Sequence, residues 1–257
     1  MHITCITITR PGRLPLLRLA IHDFMRQTHT ERDLLVLHDG DDSFDAAVRA
    51  LVAQAPADPA VRVLRVPGQQ TLGALRNGAT ELATGDLVCQ WDDDDRYHPM
   101  RLELQLRALQ ADNADFCFLA DQLHWFAAAA EMSWDDWSRE PYPLDFVQGS
   151  LLGRRALMPV YPALARGEDT SLCLSILHAG HRVTRLRDHG WCYVYVFHGG
   201  NVWTEQHHHD IARAKALSGA RLLARMRTLR ERLAEYEPGF GPVALRHRNG
   251  SMTLTLT

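Results

Sequence analysis

From Ile3 to Thr9 the chain alternates β-branched and apolar residues, and after the break at Pro11-Gly12 the apolar positions Leu14, Leu17, Ile21 and Phe24 recur at helical spacing. The same exchange repeats down the first ninety residues. Residues 34–37 read as a strand closed by Asp39-Gly40, 46–53 as a helix, and 61–66 as a strand closed by Pro67-Gly68. A helix over 72–83 ends at Gly85, and 87–91 is a fourth apolar run. Strand and helix alternating at this rhythm predict an α/β fold, Rossmann-like, with a mostly parallel central sheet and flanking helices. In such a sheet the ligand crevice lies beyond the carboxyl ends of the strands. That rule singles out Thr9-Arg10, Asp39 to Asp42, and Asp92 to Asp95.

Past Pro99 the pattern loosens. A helix starts there, with Leu102, Leu106 and Leu109 as its buried stripe, and 116–120 reads as a strand. Residues 121–148, rich in Trp and Asp, read as a variable loop region with short elements. A helix over 172–178 stops at Gly180, and 191–197 is a strand of aromatic and β-branched residues. One long helix is expected from about Asp210 to Glu235, then a hairpin of 243–248 and 251–256 around Asn249-Gly250. With no internal repeat or low-complexity linker, the chain reads as one domain over 1–205 with a helical and hairpin appendage, 206–257, packed on it.

The 257 residues are 46% apolar and 23% charged, which excludes disordered, collagenous and disulfide-scaffold classes. No apolar run approaches the roughly 18–20 residues of a membrane span, and the first residues alternate like a strand where a signal peptide would be apolar throughout. The five cysteines are odd in number and widely spaced, as expected of reduced core residues in a cytoplasmic protein. The net charge of −3 hides an asymmetry. Residues 1–150 carry 13 basic and 23 acidic side chains, and residues 151–257 carry 15 and 8. A front half that handles cations fits this split, and nothing in it calls for a nucleic-acid partner.

The sharpest chemical feature is Asp92-Asp93-Asp94-Asp95, four carboxylates directly after an apolar strand. They repel one another unless a cation or donors intervene, and hard divalent ions commonly bridge a carboxylate to substrate phosphates. A solvated acidic turn is the bland alternative. Glu168-Asp169, after Gly167, serves either as a helix N-terminal charge or as a general base. His198, beside Gly199-Gly200, has the backbone freedom to approach a phosphate or a metal. His207 to His209 suit a polar helix start better than a zinc site, because adjacent side chains diverge. Arg76 is placed where a guanidinium could reach a diphosphate.

Taken in order, these segments resemble family 2 glycosyltransferases of the GT-A fold. The matching stretches are Ile6 to Arg10, Leu35 to Gly40, Gly73 to Ala79, Ala83 to Val88, Trp91 to Asp95 with His98-Pro99, Gly149 to Arg155, and Gly167 to Leu172. Together they cover about residues 3–200. The resemblance implies that Thr9 and Asp39, with Arg10 beside them, line a nucleobase pocket and that Arg76 lies near the nucleotide. It makes Asp92 and Asp94 the acids of a D-x-D motif, with Asp94 the principal metal ligand, Asp93 near the ribose, and His198 completing the metal shell. Asp169 matches the catalytic base of inverting members. Two positions depart from the pattern: Arg10 stands where an aromatic residue is usual, and His38 where the first acid of an Asp-Asp pair is usual.

The implied activity is transfer of a sugar from a nucleoside-diphosphate sugar, with Mn²⁺ or Mg²⁺, to a glycan or lipid-linked acceptor in polysaccharide biosynthesis. Two alternatives stay open at this point, an inactive nucleotide-binding scaffold and a nucleotidyltransferase. Trp125, Trp134 and Trp137 are candidates for stacking on an acceptor sugar. The stretch 210–235, with seven basic and three acidic residues, either packs a stripe of Leu217, Leu222 or Leu223, Met226, Leu229 and Leu233 on the domain or on a second copy, or lies on anionic lipid at the inner membrane face.

Overall fold

The computed structural model describes residues 1–57, 60–164 and 166–254. The front of the chain follows the predicted alternation: β1 (Ile3–Ile8), α1 (Leu14–Met25), β2 (Arg32–His38), α2 (Asp42–Val52), β3 (Val61–Arg65), α3 (Leu72–Leu82) and β4 (Leu87–Gln90). Next come β5 (Arg96–Tyr97), α4 (Arg101–Ala111), β6 (Phe116–Leu119), β7 (Asp121–Phe126), β8 (Glu131–Asp136) and β9 (Leu152–Arg154). The rest is α5 (Glu168–His178), β10 (Val183–Leu186), β11 (Tyr193–Phe197), α6 (Glu205–Lys215), α7 (Gly219–Leu223), α8 (Met226–Leu233), β12 (Val243–His247) and β13 (Gly250–Leu254).

Seven strands form the central sheet in the order β10-β6-β9-β4-β1-β2-β3. All its pairings are parallel except those of β9, which runs antiparallel between β4 and β6. Every residue of β2 is buried, as a strand covered by helices on both faces requires. One face packs Leu17, Ala20, Ile21 and Phe24 of α1 together with Leu102, Leu106 and Leu109 of α4, and the other packs Leu75 and Ala79 of α3. The five cysteines are buried and form no disulfide. Among the described residues no helix is long and apolar enough to cross a membrane.

A second sheet, β13-β12-β8-β7-β11-β5, draws strands from both sides of residue 205. It corrects the loop expected over 121–148, because β7 and β8 pair as an antiparallel hairpin from Asp121↔Asp136 to Phe126↔Glu131. The polar residues Asp121, Gln122, His124, Ser133, Asp135 and Asp136 in these strands are all buried, so no hydrophobic alternation marks them. They satisfy one another and their neighbours: Trp134 Nε1 donates to Asp121 at 2.7 Å, and Ser133 Oγ donates to Asp135 at 2.7 Å.

The single long helix expected over 210–235 is three helices. Thr204 caps α6, whose end at Lys215 gives way to extended chain where Ala216 bridges Asp135 and Leu217 N–H donates to the Trp134 carbonyl. Ser218 then caps α7. The apolar stripe faces inward, with Leu217, Leu222, Leu229 and Leu233 buried, while Leu223 is 62% exposed. It packs on this domain's own core. Several basic residues outside it pair with acids, Arg221 with Asp136 and Arg225 with Asp188. In the last hairpin His247 pairs with Gly250, so the turn is Arg248-Asn249, one residue earlier than expected. The end of the predicted 251–256 strand lies outside the described residues.

Candidate active site

The acidic turn follows β4, at the carboxyl edge of the central sheet, where β1 also ends and α3 begins. Each of its four carboxylates has a different environment. Asp92 Oδ1 accepts from Arg76 Nη2 at 2.8 Å and Oδ2 from Gln90 Nε2 at 2.9 Å. Asp93 is buried and accepts from Arg13 Nη1 at 2.7 Å. Burial and the adjacent Asp94 charge push its carboxyl up to about 7, with Arg13 opposing them. Asp94 Oδ2 lies 2.7 Å from Arg13 Nη1 and 3.2 Å from His198 Nε2. Burial would raise the Asp94 carboxyl, but the His198 and Arg13 contacts outweigh it and hold the group below the usual carboxylate range. Asp95 faces inward, accepting from Tyr193 Oη at 2.5 Å and Val196 N at 2.9 Å, and burial holds it well above its ordinary pKa.

Beneath the turn Arg101 is fully buried, its guanidinium stacked on Trp91, Tyr97 and Tyr193 at 5.2, 4.7 and 5.2 Å. The two tyrosines carry its influence upward, since Tyr97 Oη donates to the Asp92 carbonyl at 2.9 Å and Tyr193 to Asp95. Neither Arg13 nor Arg101 was among the candidate residues. The signal for Arg101 was its i,i+4 partner Gln105, whose Oε1 accepts from Arg101 Nε at 3.1 Å along the buried face of α4. Arg13 offered no signal beyond following a Pro-Gly turn.

Arg76 is buried, at 5% exposure. Its Nη1 donates to Glu168 Oε1 at 2.7 Å, and it joins α3, the acidic turn and the first residue of α5. Burial pushes the Glu168 carboxyl up while Arg76 pulls it down, and the net direction is up. Asp169, the next residue, makes no ion pair among the described residues, and its Oδ1 accepts only from the Thr170 N–H at 2.7 Å.

Two adjacent cavities meet here. The smaller, about 150 Å³, is lined by Arg13, Arg76, Asp92 to Asp95 and Glu168. The larger, about 410 Å³, is lined by Trp137, Leu144, Gln148, Tyr193 and Lys215 among others. Asp92, Asp169, Tyr195 and Trp203 line both. Of the three tryptophans considered for an acceptor, Trp137 lines the larger cavity, Trp134 is core, and Trp125 packs on Phe240.

Thr9, Arg10 and Asp39 line neither cavity. Thr9 is buried, Asp39 Oδ2 accepts from Gln70 N–H at 2.8 Å, and Arg10 Nη2 reaches the Gly200 carbonyl at 3.1 Å. His38 is turned inward between Asp45 and the Gly40 N–H, where it holds the turn after β2. The three successive histidines diverge as expected. His207 stacks on Trp203, His208 is buried with Nδ1 3.1 Å from His124 Nε2, and His209 stacks on Phe126.

For a divalent ion, Asp94 and His198 offer a carboxylate oxygen and an imidazole nitrogen side by side, a donor set that suits Mn²⁺ or Mg²⁺ once diphosphate oxygens are added. Asp92 is turned toward Arg76 instead, and among the described residues no three His, Cys, Asp or Glu side chains converge as a preformed metal cage.

Comparison with known proteins bears on the same region. No curated protein matches the chain. Among solved structures, Staphylococcus aureus TarS 1–349 in complex with UDP-GlcNAc superposes with a TM-score of 0.61 at 15% identity, over 93% of this chain and 73% of that one. The mannosyltransferase PcManGT from Pyrobaculum calidifontis, in complex with GDP-Man and Mn²⁺, gives 0.60 at 15% identity, over 91% and 62%. A longer S. aureus TarS structure gives 0.58 at 16% identity, over 83% of this chain, which spans only 42% of that protein. These likenesses establish the GT-A fold. The family model described as glycosyl transferase family 2 matches residues 5–138, from β1 through the acidic turn to the β7–β8 hairpin, and on that match the chain belongs to glycosyl transferase family 2.

Proposed function

We propose that the chain is a metal-dependent, inverting glycosyltransferase that moves a sugar from a nucleoside-diphosphate sugar to a hydroxyl of a glycan or lipid-linked acceptor. The observation that carries this reading is Asp169. It is a carboxylate with no ion-pair partner among the described residues, standing where the two cavities meet, beside the Arg76–Asp92 pair. A general base needs a free lone pair within reach of both the acceptor hydroxyl and the reacting carbon. In this reading the smaller cavity receives the diphosphate end of the donor and the larger one the acceptor.

Asp169 takes the proton of the acceptor hydroxyl as that oxygen forms its bond to the anomeric carbon. The bond from that carbon to the diphosphate oxygen breaks on the opposite face, so a single displacement inverts the configuration. Asp94 and His198 would hold Mn²⁺ or Mg²⁺, which when bound supplies positive charge for the departing diphosphate, while Asp92, expected as a second acid ligand, is held by Arg76 and Gln90. Arg76 keeps Asp92 and Glu168 in place and adds a fixed positive charge to the cavity wall. The pyranose ring of an acceptor suits the aromatic walls offered by Trp137, Tyr195 and Trp203.

The stereochemical outcome tests this reading. Donor sugars of known anomeric configuration are supplied with Mn²⁺, and the product linkage, or the free sugar formed by slow hydrolysis, is read by proton NMR before mutarotation. Inversion is expected. Retention would reject Asp169 as the base of a single displacement, and nucleotide binding without turnover on a broad donor panel would favour the scaffold alternative.

A further inference from the structure

Arg13 follows the Pro11-Gly12 break, immediately before α1, and its Nη1 stands 2.7 Å from both Asp93 Oδ1 and Asp94 Oδ2. One guanidinium nitrogen therefore lies between two neighbouring carboxylates, which is where mutual repulsion calls for a cation. The side chain is 15% exposed, beside Asp93 at 1% and Asp94 at 14%, so solvent screens the cluster weakly. Its Nε is buried and has no hydrogen-bond partner among the described residues, so the guanidinium is only partly satisfied in this position.

The oxygen that Arg13 holds on Asp94 is the same Oδ2 that lies 3.2 Å from His198 Nε2. A divalent ion bound by Asp94 and His198 would meet the guanidinium at close range, and like charges sharing one oxygen oppose each other.

We propose that Arg13 is a resident counter-cation of the acidic turn that competes with a divalent ion for Asp94, so that the ion binds by displacing Arg13 from the Asp93–Asp94 pair. This rests on the metal-dependent reading above. Without an ion Arg13 already offsets part of the Asp93–Asp94 charge and holds the two carboxylates together. Arg13 lines the smaller cavity with Arg76, so the displaced guanidinium stays where a diphosphate would lie, an anion its fork of N–H donors suits. An ion arriving with a nucleoside diphosphate is therefore held better than the ion alone.

The test is a titration of the full chain with Mn²⁺ alone, free Mn²⁺ being read by electron paramagnetic resonance, and then with UDP or GDP present. Arg13→Gln should bind Mn²⁺ at least tenfold more tightly than wild type without nucleotide, and Arg13→Gln/Asp94→Asn should lose that gain. Arg13→Lys, which keeps a charge but no fork, should fall between them and is the informative variant if Arg13→Gln folds poorly. In chelator Arg13→Gln should melt below wild type and recover when Mn²⁺ is added. Equal Mn²⁺ affinity in wild type, Arg13→Gln and Arg13→Lys, or a gain that survives Asp94→Asn, would overturn the competition and leave the metal-dependent reading standing. No Mn²⁺ binding by any of these proteins, with or without nucleotide, would overturn both.

Discussion

Arg76 and Glu168 lie 2.7 Å apart, both buried, and this ion pair fastens the middle of α3 to the first residue of α5. Because the same guanidinium holds Asp92, one cation sets the spacing between the acidic turn and the start of the helix that carries Asp169. Arg76→Gln leaves a buried carboxylate without its cation and should lower stability by about 3–5 kcal/mol. Glu168→Gln should cost less, and the double variant less than the sum of the two, because each single change strands the other charge. Urea unfolding of the four proteins checks this, and strict additivity would contradict the coupling.

Asp169 behaves differently, since it makes no ion pair among the described residues. Among the described residues its Oδ1 accepts only from the next N–H. Asp169→Asn should keep the melting temperature and the affinity for nucleoside diphosphate while losing about 10²–10⁴ in turnover, the range for removal of a general base. Parallel loss of nucleotide affinity would point to a binding role instead.

His98 gives the fold a dependence on pH. Its ring is fully buried, Nδ1 accepts from Met100 N–H at 3.1 Å, and burial, followed by the charges of Arg232 and Arg26, pushes its pKa down to about 3, although the half-exposed Glu235 carboxylate lies 3.4 Å from Nε2 and opposes the shift. The unfolded chain protonates near 6.5, so the neutral buried ring adds stability above that pH. The contribution is lost as pH falls from about 6.5 toward 3, by up to about 2 kcal/mol at pH 5. His98→Asn keeps an acceptor for Met100 without titrating near neutrality. Its urea midpoint should change less between pH 7 and 5 than that of wild type, and identical slopes would refute the assignment.

Gly73 opens α3 against the loop that precedes α5. A Cβ built there would stand 1.9 Å from the Pro162 carbonyl oxygen, a backbone atom that cannot swing aside. Gly73→Ala should therefore shift the loop, cost about 1–3 kcal/mol as overpacking does, and reduce transfer through the displaced Arg76. Wild-type stability and turnover would show that the loop yields freely.

The first half of the fold was legible because its elements have one role each. β2 is apolar at Leu34 to Leu37, and the buried side of α1 repeats Leu17, Ile21 and Phe24 at helical spacing. Asp92 to Asp95 stood out because charge that follows directly on an apolar strand needs a reason. The β7–β8 hairpin was hidden by its buried polar chain, in which His124 Nδ1 meets Asp135 at 3.1 Å and His208 closes the row from 84 residues away. No local pattern encodes a partner that distant. The break at Ala216-Leu217 was hidden too, since both residues suit a helix and only pairing with β8 pulls them straight. Arg13 and Arg101 were missed because an arginine's surroundings, here two carboxylates and three aromatic rings, come from other parts of the chain.

The most direct measurement is release of nucleoside diphosphate from a panel of UDP- and GDP-linked sugars, with Mn²⁺ or Mg²⁺ or in chelator, by wild type, Asp94→Ala and Asp169→Asn. At least one donor should be turned over by wild type with metal, and that turnover should fall about 10²-fold or more in both variants and in chelator. Full activity in Asp94→Ala and Asp169→Asn, or turnover unaffected by chelator, would contradict a metal-dependent transfer with Asp169 as its base.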